Sequence, residues 1–161
     1  DNREAIAKEK EAKQVKIRAK NIAKFDSLKE TSTLTKTGLQ YIITTSGKGK
    51  TVTSTNKAMV HYAVYFADGT LLETSNEEIA KQNDIFNLQK LNAGMYSPIM
   101  AKVGPEDRMI DGFKEGIRLL NEGDRATLFL PYTLAYGEEG SRGIPPQSDL
   151  IFEVEVTSVE Q

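Results

Sequence analysis

The chain has 161 residues, of which 39% are apolar and 27% charged, and its formal net charge is −2, so we expect one core with an appendage. The near-neutral charge gives no reason to expect a nucleic-acid partner, and no apolar run approaches the roughly 20 residues of a membrane-spanning helix. The absence of cysteine excludes thiol catalysis, disulfides and thiolate ligands, and a single histidine, His61, argues against a metal centre, so we expect neither metal nor cofactor.

Residues 1–30 form a block that is rich in Ala, Lys and Glu, contains no Gly or Pro and carries a net charge of +3. Such a composition favours a helix at nearly every position. Its sparse apolar residues keep no heptad register, so we expect an exposed helix with a thin apolar stripe. A solvated lead-in helix and a dimerisation arm both remain open. The apolar residues are Ile6, Val15, Ile17, Ile22, Phe25 and Leu28.

Residues 31–37 are polar and rich in threonine, which predicts a linker before a domain over residues 38–161. Asp68-Gly69 is a strong signal for a hairpin turn within that domain. Five segments have the alternation and β-branched content of strands. They are residues 38–43, 58–66, 70–74, 125–130 and 150–159.

Residues 111–120 are the one clear helix of this domain, with Asp111 expected as its N-cap and Gly123 as its C-terminal stop. Four apolar side chains fall on one face of it: Ile110, Phe113, Ile117 and Leu120. Many strands with one helix predict an α+β domain, in which an antiparallel sheet wraps on a single helix.

The pattern weakens in the middle of the domain. Residues 76–83 favour a helical turn, and residues 84–88 favour a short strand. Residues 90–108 contain two Gly and two Pro, which predicts a long surface loop.

Several short blocks follow one another in a fixed order: residues 38–41, 60–62, 68–75, 110–116, 123–126, 134–137, 143–148 and 150–155. The most specific is Tyr136-Gly137 followed by Gly143-Ile144-Pro145-Pro146. In this order the blocks resemble the FKBP-type peptidyl-prolyl cis-trans isomerases (immunophilins), in particular the bacterial envelope members. The resemblance covers about three quarters of the chain.

The resemblance implies a curved antiparallel sheet of five or six strands around one α-helix, with a cleft between them for the proline of a substrate. Phe113 would form the floor of the cleft, and Tyr136 and the backbone N–H of Ile144 would donate to substrate carbonyls. The residues that the resemblance makes catalytic are Tyr62, Phe113, Tyr136, Ile144 and Phe152. Those that it makes substrate-binding are Leu72, Glu73, Met109 and Ile110. His61 points to the opposite face of its strand and is expected to be structural.

The implied activity is isomerisation of X–Pro bonds in unfolded or extended polypeptides, which needs no nucleophile. Leu72, Glu73 and Phe113 stand where the family commonly has Phe, Asp and Trp, so a reduced rate and weak macrolide binding are expected. Two alternatives stay open: a chaperone-like peptide-binding module of the same fold without turnover, and a helix that joins two copies into a homodimer.

Asp1 is not preceded by methionine, which would fit a removed signal peptide or lipoprotein leader and equally an arbitrary boundary. The resemblance favours the bacterial cell envelope, either as a periplasmic protein or as a lipoprotein anchored upstream of residue 1. The expected partners are proline-containing polypeptide clients.

Overall fold

The computed structural model describes residues 1–160. Four α-helices occur in this range: α1 (Asn2–Glu30), α2 (Glu77–Gln82), α3 (Leu88–Asn92) and α4 (Asp111–Arg118). The strands are β1 (Thr33–Leu34), β2 (Gln40–Thr45), β3 (Lys57–Phe66), β4 (Leu71–Thr74), β5 (Ile99–Lys102), β6 (Arg125–Leu130) and β7 (Leu150–Glu160). A single 3-10 turn, Tyr132–Leu134, follows β6.

All seven strands join one antiparallel sheet in the order β1-β2-β6-β7-β3-β4, and β5 pairs with the first half of β3. The expected α+β class, with an antiparallel sheet packed on a helix and preceded by a long N-terminal helix, is confirmed. The sheet has more strands than the five or six expected, because the short β1 and β5 add to its edges.

The inner face of the sheet, defined here as the face that contacts α4, carries the main core. Val64, Leu128 and Phe152 project from three neighbouring strands into this core. Helix α4 approaches β6 very closely, because a Cβ atom at Gly116 would lie 2.5 Å from a methyl carbon of Leu128. Any larger residue at this position would force the side chain of Leu128 to move.

The outer face is covered by the second half of α1. Tyr65 and Phe129 alternate with the inner-face residues along their strands and pack with Phe25 of the helix. The rings of Phe25 and Tyr65 meet edge to face, with centroids 4.8 Å apart. The expectation of an exposed, solvated helix is therefore wrong for this half, whereas residues 2–13 are exposed throughout.

Helix α1 is also held by hydrogen bonds from polar side chains. Asn21 donates to the carbonyl oxygen of Gly69 and to the side-chain oxygen of Asn83, each at 2.9 Å. Gln14 donates to the backbone carbonyl of Asn83, also at 2.9 Å. Despite its length, α1 is too charged to cross a membrane, and no other helix in residues 1–160 is both long and apolar enough to do so.

Three local expectations need correction. The expected linker over residues 31–37 contains β1, which is held to the sheet by its pairing with β2, although the division of the chain into domains stays a prediction. Ile110, with extended backbone, is the N-cap of α4, so Asp111 is already its first helical residue. The helix ends at Arg118, and Gly123 lies in the following turn with a φ of +95°.

The middle segment also differs from expectation. The strand expected over residues 84–88 is wrong, because Asp84 adopts a left-handed conformation with a φ of +59° and Leu88 already begins α3. The side chain of Asn87 caps that helix by accepting from the N–H of Lys90. Residues 90–108 are not one loop, since they include the end of α3 and all of β5.

Candidate active site

A single cleft between α4 and the inner face of the sheet contains all nine of the expected site residues. Its volume is about 430 Å³, in the usual range for a site that binds a small molecule or a short peptide segment. The nine residues are Tyr62, Leu72, Glu73, Met109, Ile110, Phe113, Tyr136, Ile144 and Phe152. They come from four strands or helices and two loops, so only the fold brings them together.

Two aromatic rings make the floor of the cleft. Phe113 of α4 and Phe152 of β7 are almost fully buried, and their centroids lie 5.4 Å apart with the rings tilted by 56°. Val64 of β3 lies directly opposite Phe152 in the strand register. Each of these residues belongs to a regular element and exposes little of its side chain to water.

Tyr62 and Glu73 form one side of the cleft. Tyr62 lies on β3 two residues before Val64 and therefore on the same face. Burial of its ring raises the pKa of Tyr62 well above the ordinary value, and the nearby Glu73 carboxylate raises this pKa further. The hydroxyl of Tyr62 thus stays protonated at neutral pH, and the Glu73 carboxylate competes with a substrate carbonyl as acceptor of its hydrogen bond.

Tyr136 stands at the mouth of the cleft, where its side chain is 40% exposed. It lies after the 3-10 turn, on a loop that returns through Ile144. The backbone N–H of Ile144 donates to the carbonyl oxygen of Ser141 at 2.9 Å. A substrate carbonyl that used this N–H, as the resemblance implies, would have to share or displace that bond.

The loop that carries Tyr136 and Ile144 is shaped by contacts of its own. Gly140 has a φ of +77°, and a Cβ atom there would lie 2.4 Å from the carbonyl oxygen of Ile144. At the end of the loop, the carboxylate of Asp149 accepts from the N–H of Tyr132 at 2.8 Å. These contacts fix the separation between the tyrosine at the mouth and the isoleucine wall.

A buried lysine positions another wall. Lys114 of α4 is 5% exposed, and its ammonium group donates to the carbonyl oxygens of Pro105 and Asp107 at 3.1 and 2.8 Å. These bonds tie the loop before α4 to the helix, and that loop carries Met109 into the cleft. Hydropathy gave no reason to single out Lys114, because a lysine on a short helix is usually solvated.

Five further residues line the cleft that the sequence did not indicate: Val64, Lys90, Ile99, Ser141 and Arg142. The alternation of β3 could have identified Val64, since it shares a face with Tyr62. Lys90 and Ile99 belong to residues 90–108, for which the sequence predicts a surface loop. No sequence pattern therefore indicates that they lie near the cleft. His61 lies outside the cleft, with its Nδ1 atom 3.0 Å from the hydroxyl oxygen of Ser75.

The chain is similar to known proteins over most of its length. Residues 48–157 match the profile of the FKBP-type peptidyl-prolyl cis-trans isomerase family. The chain is 32% identical over 157 residues to a probable FKBP-type peptidyl-prolyl cis-trans isomerase FkpA of Neisseria meningitidis, covering 96% of this chain and 50% of that protein. It is also 32% identical over 157 residues to a probable isomerase of this type from Haemophilus influenzae, covering 97% and 55%.

Among solved structures, FkpA from Escherichia coli superimposes with a TM-score of 0.64 at 28% identity, over 93% of this chain and 64% of that one. The chain spans about half the length of the curated relatives it matches.

Proposed function

The chain belongs to the FKBP-type peptidyl-prolyl cis-trans isomerase family, and we propose that it catalyses the cis–trans isomerisation of X–Pro bonds in unfolded or extended polypeptides. The observation that carries this proposal is the single cleft with a floor of two aromatic rings and hydroxyl groups at its side and mouth. The floor made by Phe113 and Phe152 suits the ring of a proline. Tyr62 and Tyr136 can donate to the carbonyl oxygens beside it.

The chemistry needs no bond to be made or broken. Rotation about the peptide bond meets a barrier of about 18–20 kcal/mol, because the planar amide must lose its resonance. The twisted amide is less dipolar than the planar one, so a dry apolar pocket stabilises it relative to the ground state. Each 1.4 kcal/mol or so of such differential stabilisation raises the rate about tenfold.

The test is a peptide assay with matched tyrosine variants. Purified protein should accelerate isomerisation of a short Ala-Pro peptide above the uncatalysed rate. Tyr136→Phe should lower kcat/KM by about 3- to 10-fold, the range expected for the loss of one hydrogen bond. Tyr132→Phe is the control, because Tyr132 lies four residues earlier and outside the cleft lining. A parent protein that leaves the rate at background would contradict the proposal.

A second candidate is a peptide-binding module that retains the cleft without turnover. The engagement of the Ile144 N–H with Ser141 favours it, since one of the donors implied for catalysis is already occupied. This candidate predicts saturable binding of proline peptides, measured by fluorescence anisotropy, with no increase in isomerisation rate. The peptide assay above therefore separates the two functions.

We propose that the protein works in the bacterial cell envelope, in the periplasm or on a lipid anchor upstream of residue 1. Its similarity to bacterial relatives supports this location. Fractionation of cells that express the full-length gene product would test it, since recovery in the cytosolic fraction would contradict the proposal.

A homodimer through α1 is a further proposal. Ile6 and Val15 are both about half exposed, and the first part of the helix has no contact with the sheet that buries it. Light scattering of the full chain would give a dimer mass, and Ile6→Glu with Val15→Glu should reduce it to that of a monomer. A monomeric parent protein would contradict this proposal.

A further inference from the structure

Exposed apolar side chains are concentrated in one short segment beside the cleft. Within residues 1–160, twelve large apolar side chains are exposed, and half of them lie between residues 85 and 100. Leu88 and Met95 are the most exposed of these, at 61% and 55%. Such a concentration in one short segment is typical of a site of interaction.

The segment is ordered by contacts within itself. Helix α3 has no buried residue, so the core does not hold it. The N–H of Asn87 donates to the hydroxyl of Tyr96 at 3.0 Å, and the ring of Tyr96 stacks on Phe86 with centroids 5.7 Å apart. The helix therefore keeps its shape while its apolar side chains face outward. We call the side chains of Phe86, Leu88, Leu91 and Met95 the α3 surface.

A second pocket, lined largely by polar residues, connects the cleft to one residue of the α3 surface, Met95. This pocket has a volume of about 330 Å³ and lies between β4 and the segment that follows α3. Tyr62, Glu73, Lys90 and Ile99 line both the cleft and this pocket, whereas Met95 lines the second pocket alone. Because the two share a wall, an extended chain with its proline in the cleft, advancing about 3.3–3.6 Å per residue, would reach the pocket within a few residues.

We propose that the α3 surface, reached from the cleft through the second pocket, forms a docking subsite for apolar side chains of the client polypeptide that flank the isomerised proline. The inference rests on the proposed function and adds a substrate class to it: X–Pro bonds within apolar stretches of an extended chain. Met95 suits such a role, because its flexible, polarizable side chain adapts to different apolar partners. The continuity with the cleft is what favours a client segment over a second copy of the protein.

The experiment compares two dye-labelled peptides of equal length with the same Ala-Ala-Pro-Ala centre. One carries Leu-Ala-Leu on each side of the centre and the other Ser-Ala-Ser. The parent protein is compared with Leu88→Ser/Met95→Ser and with Leu34→Ser, a control whose side chain is 66% exposed on β1. Affinity is measured by fluorescence anisotropy and turnover by the isomerisation assay.

We expect the double variant to bind the leucine-flanked peptide about 5- to 10-fold more weakly, mainly as a rise in KM, because it loses two apolar contacts. Its affinity and kcat/KM for the serine-flanked peptide should stay within about twofold of the parent values, and Leu34→Ser should behave as the parent with both peptides.

Two results would overturn the subsite. The first is a double substitution that changes the affinity for the two peptides equally or that changes neither affinity. The second is a parent dimer that the double substitution converts to a monomer, which would assign the α3 surface to a second copy. If the parent binds the leucine-flanked peptide through this surface but isomerises neither of the two peptides, the proposed function fails and the subsite stands. If the parent isomerises both peptides and the double variant prefers the leucine-flanked peptide as strongly as the parent does, the subsite alone fails.

Discussion

The helices that cover the two faces of the sheet differ in their length and in the number of residues that they bury. The inner face carries α4, which has eight residues and buries five of them. The outer face carries α1, which has 29 residues and buries only Asn21 and Phe25. The length of a helix is therefore a poor guide to its share of the packing in this protein. The closeness of approach, set on the inner face by Gly112 and Gly116, decides how much is buried.

The difference has consequences for function. On the inner face the same side chain, Phe113, belongs both to the core and to the floor of the cleft. On the outer face, Phe25 packs in a smaller cluster with Tyr65 and Phe129 and does not line the cleft. A change on the inner face should thus reduce stability and activity together, whereas a change on the outer face should reduce stability alone.

The largest effect is expected for Phe113→Ala. It should lower the free energy of unfolding by about 3–5 kcal/mol, because a buried aromatic ring is replaced by a cavity. It should also lower kcat/KM more than tenfold, since the floor of the cleft is lost. Urea denaturation and the peptide assay measure the two effects. Phe113→Leu is the control: it retains much of the apolar volume and should lose far less of both. If Phe113→Ala kept the parental activity, Phe113 would belong to the core but would not contribute to the cleft, and the proposed difference between the two faces would be wrong.

Phe25→Ala tests the outer face. We expect a loss of about 3 kcal/mol in the free energy of unfolding, because the ring is 2% exposed and meets Tyr65 edge to face. The kcat/KM measured on folded protein should stay at the parental value. Lys8→Ala, an exposed position in the first half of the same helix, is the control and should change neither quantity. If Phe25→Ala also leaves the stability unchanged, α1 is an independent unit and does not share the cooperative unfolding of the sheet.

The inner face could be predicted from the sequence because its signals are local or belong to family motifs. Phe113 and Ile117 repeat at helical spacing, and Tyr62 and Val64 repeat at strand spacing. The outer contact of α1 could not be predicted in this way. Its buried stripe includes Asn21, and Gln14 contributes through a hydrogen bond to a residue 69 positions away. Because asparagine and glutamine have low hydropathy, the apolar pattern of α1 indicates a narrower buried face than the structure has.

The segment around α3 escaped prediction for a different reason. Residues 84–88 combine apolar and aromatic residues, which favours a strand on local propensity. Helices capped by Asn76 and Asn87 on either side decide the conformation instead. Strand β5 depends on pairing with β3 some 40 residues earlier, and no local pattern reports such a pairing. Lys90 and Ile99 of the cleft were missed because they lie in this segment.

A smaller effect is expected for Asn21→Ala. The substitution leaves the carbonyl oxygen of Gly69 and the side-chain oxygen of Asn83 without the Asn21 donor, and should lower the free energy of unfolding by about 1–2 kcal/mol. Asn2→Ala, an exposed asparagine of the same helix, serves as the control and should have no effect. An unchanged stability for Asn21→Ala would mean that Phe25 alone holds α1 to the sheet.

The smallest effect concerns alkaline pH and the tyrosine of the outer face. Burial of Tyr65 raises its pKa far above the ordinary value of about 10, and the neighbouring Glu153 carboxylate, which accepts a hydrogen bond from the Tyr65 hydroxyl, raises this pKa further. Above pH 10 the unfolded chain therefore releases this proton while the folded protein retains it. The stabilisation associated with Tyr65 is fully present below pH 10 and is lost as the pH rises beyond it.

At pH 10.5 this linkage lowers the free energy of unfolding by about 1 kcal/mol, the order of magnitude for one group at half a pH unit above its unfolded pKa. Tyr65→Phe removes the linkage, so the stability difference between parent and variant should narrow by that amount between pH 8 and pH 10.5 in urea denaturation. The stability difference between the parent and Tyr62→Phe should also narrow as the pH rises, because burial and Glu73 raise the pKa of Tyr62 as well. Parallel pH profiles for parent and Tyr65→Phe would mean that water reaches this hydroxyl. The outer face would then be wet beneath α1, and only the inner face would be a dry core.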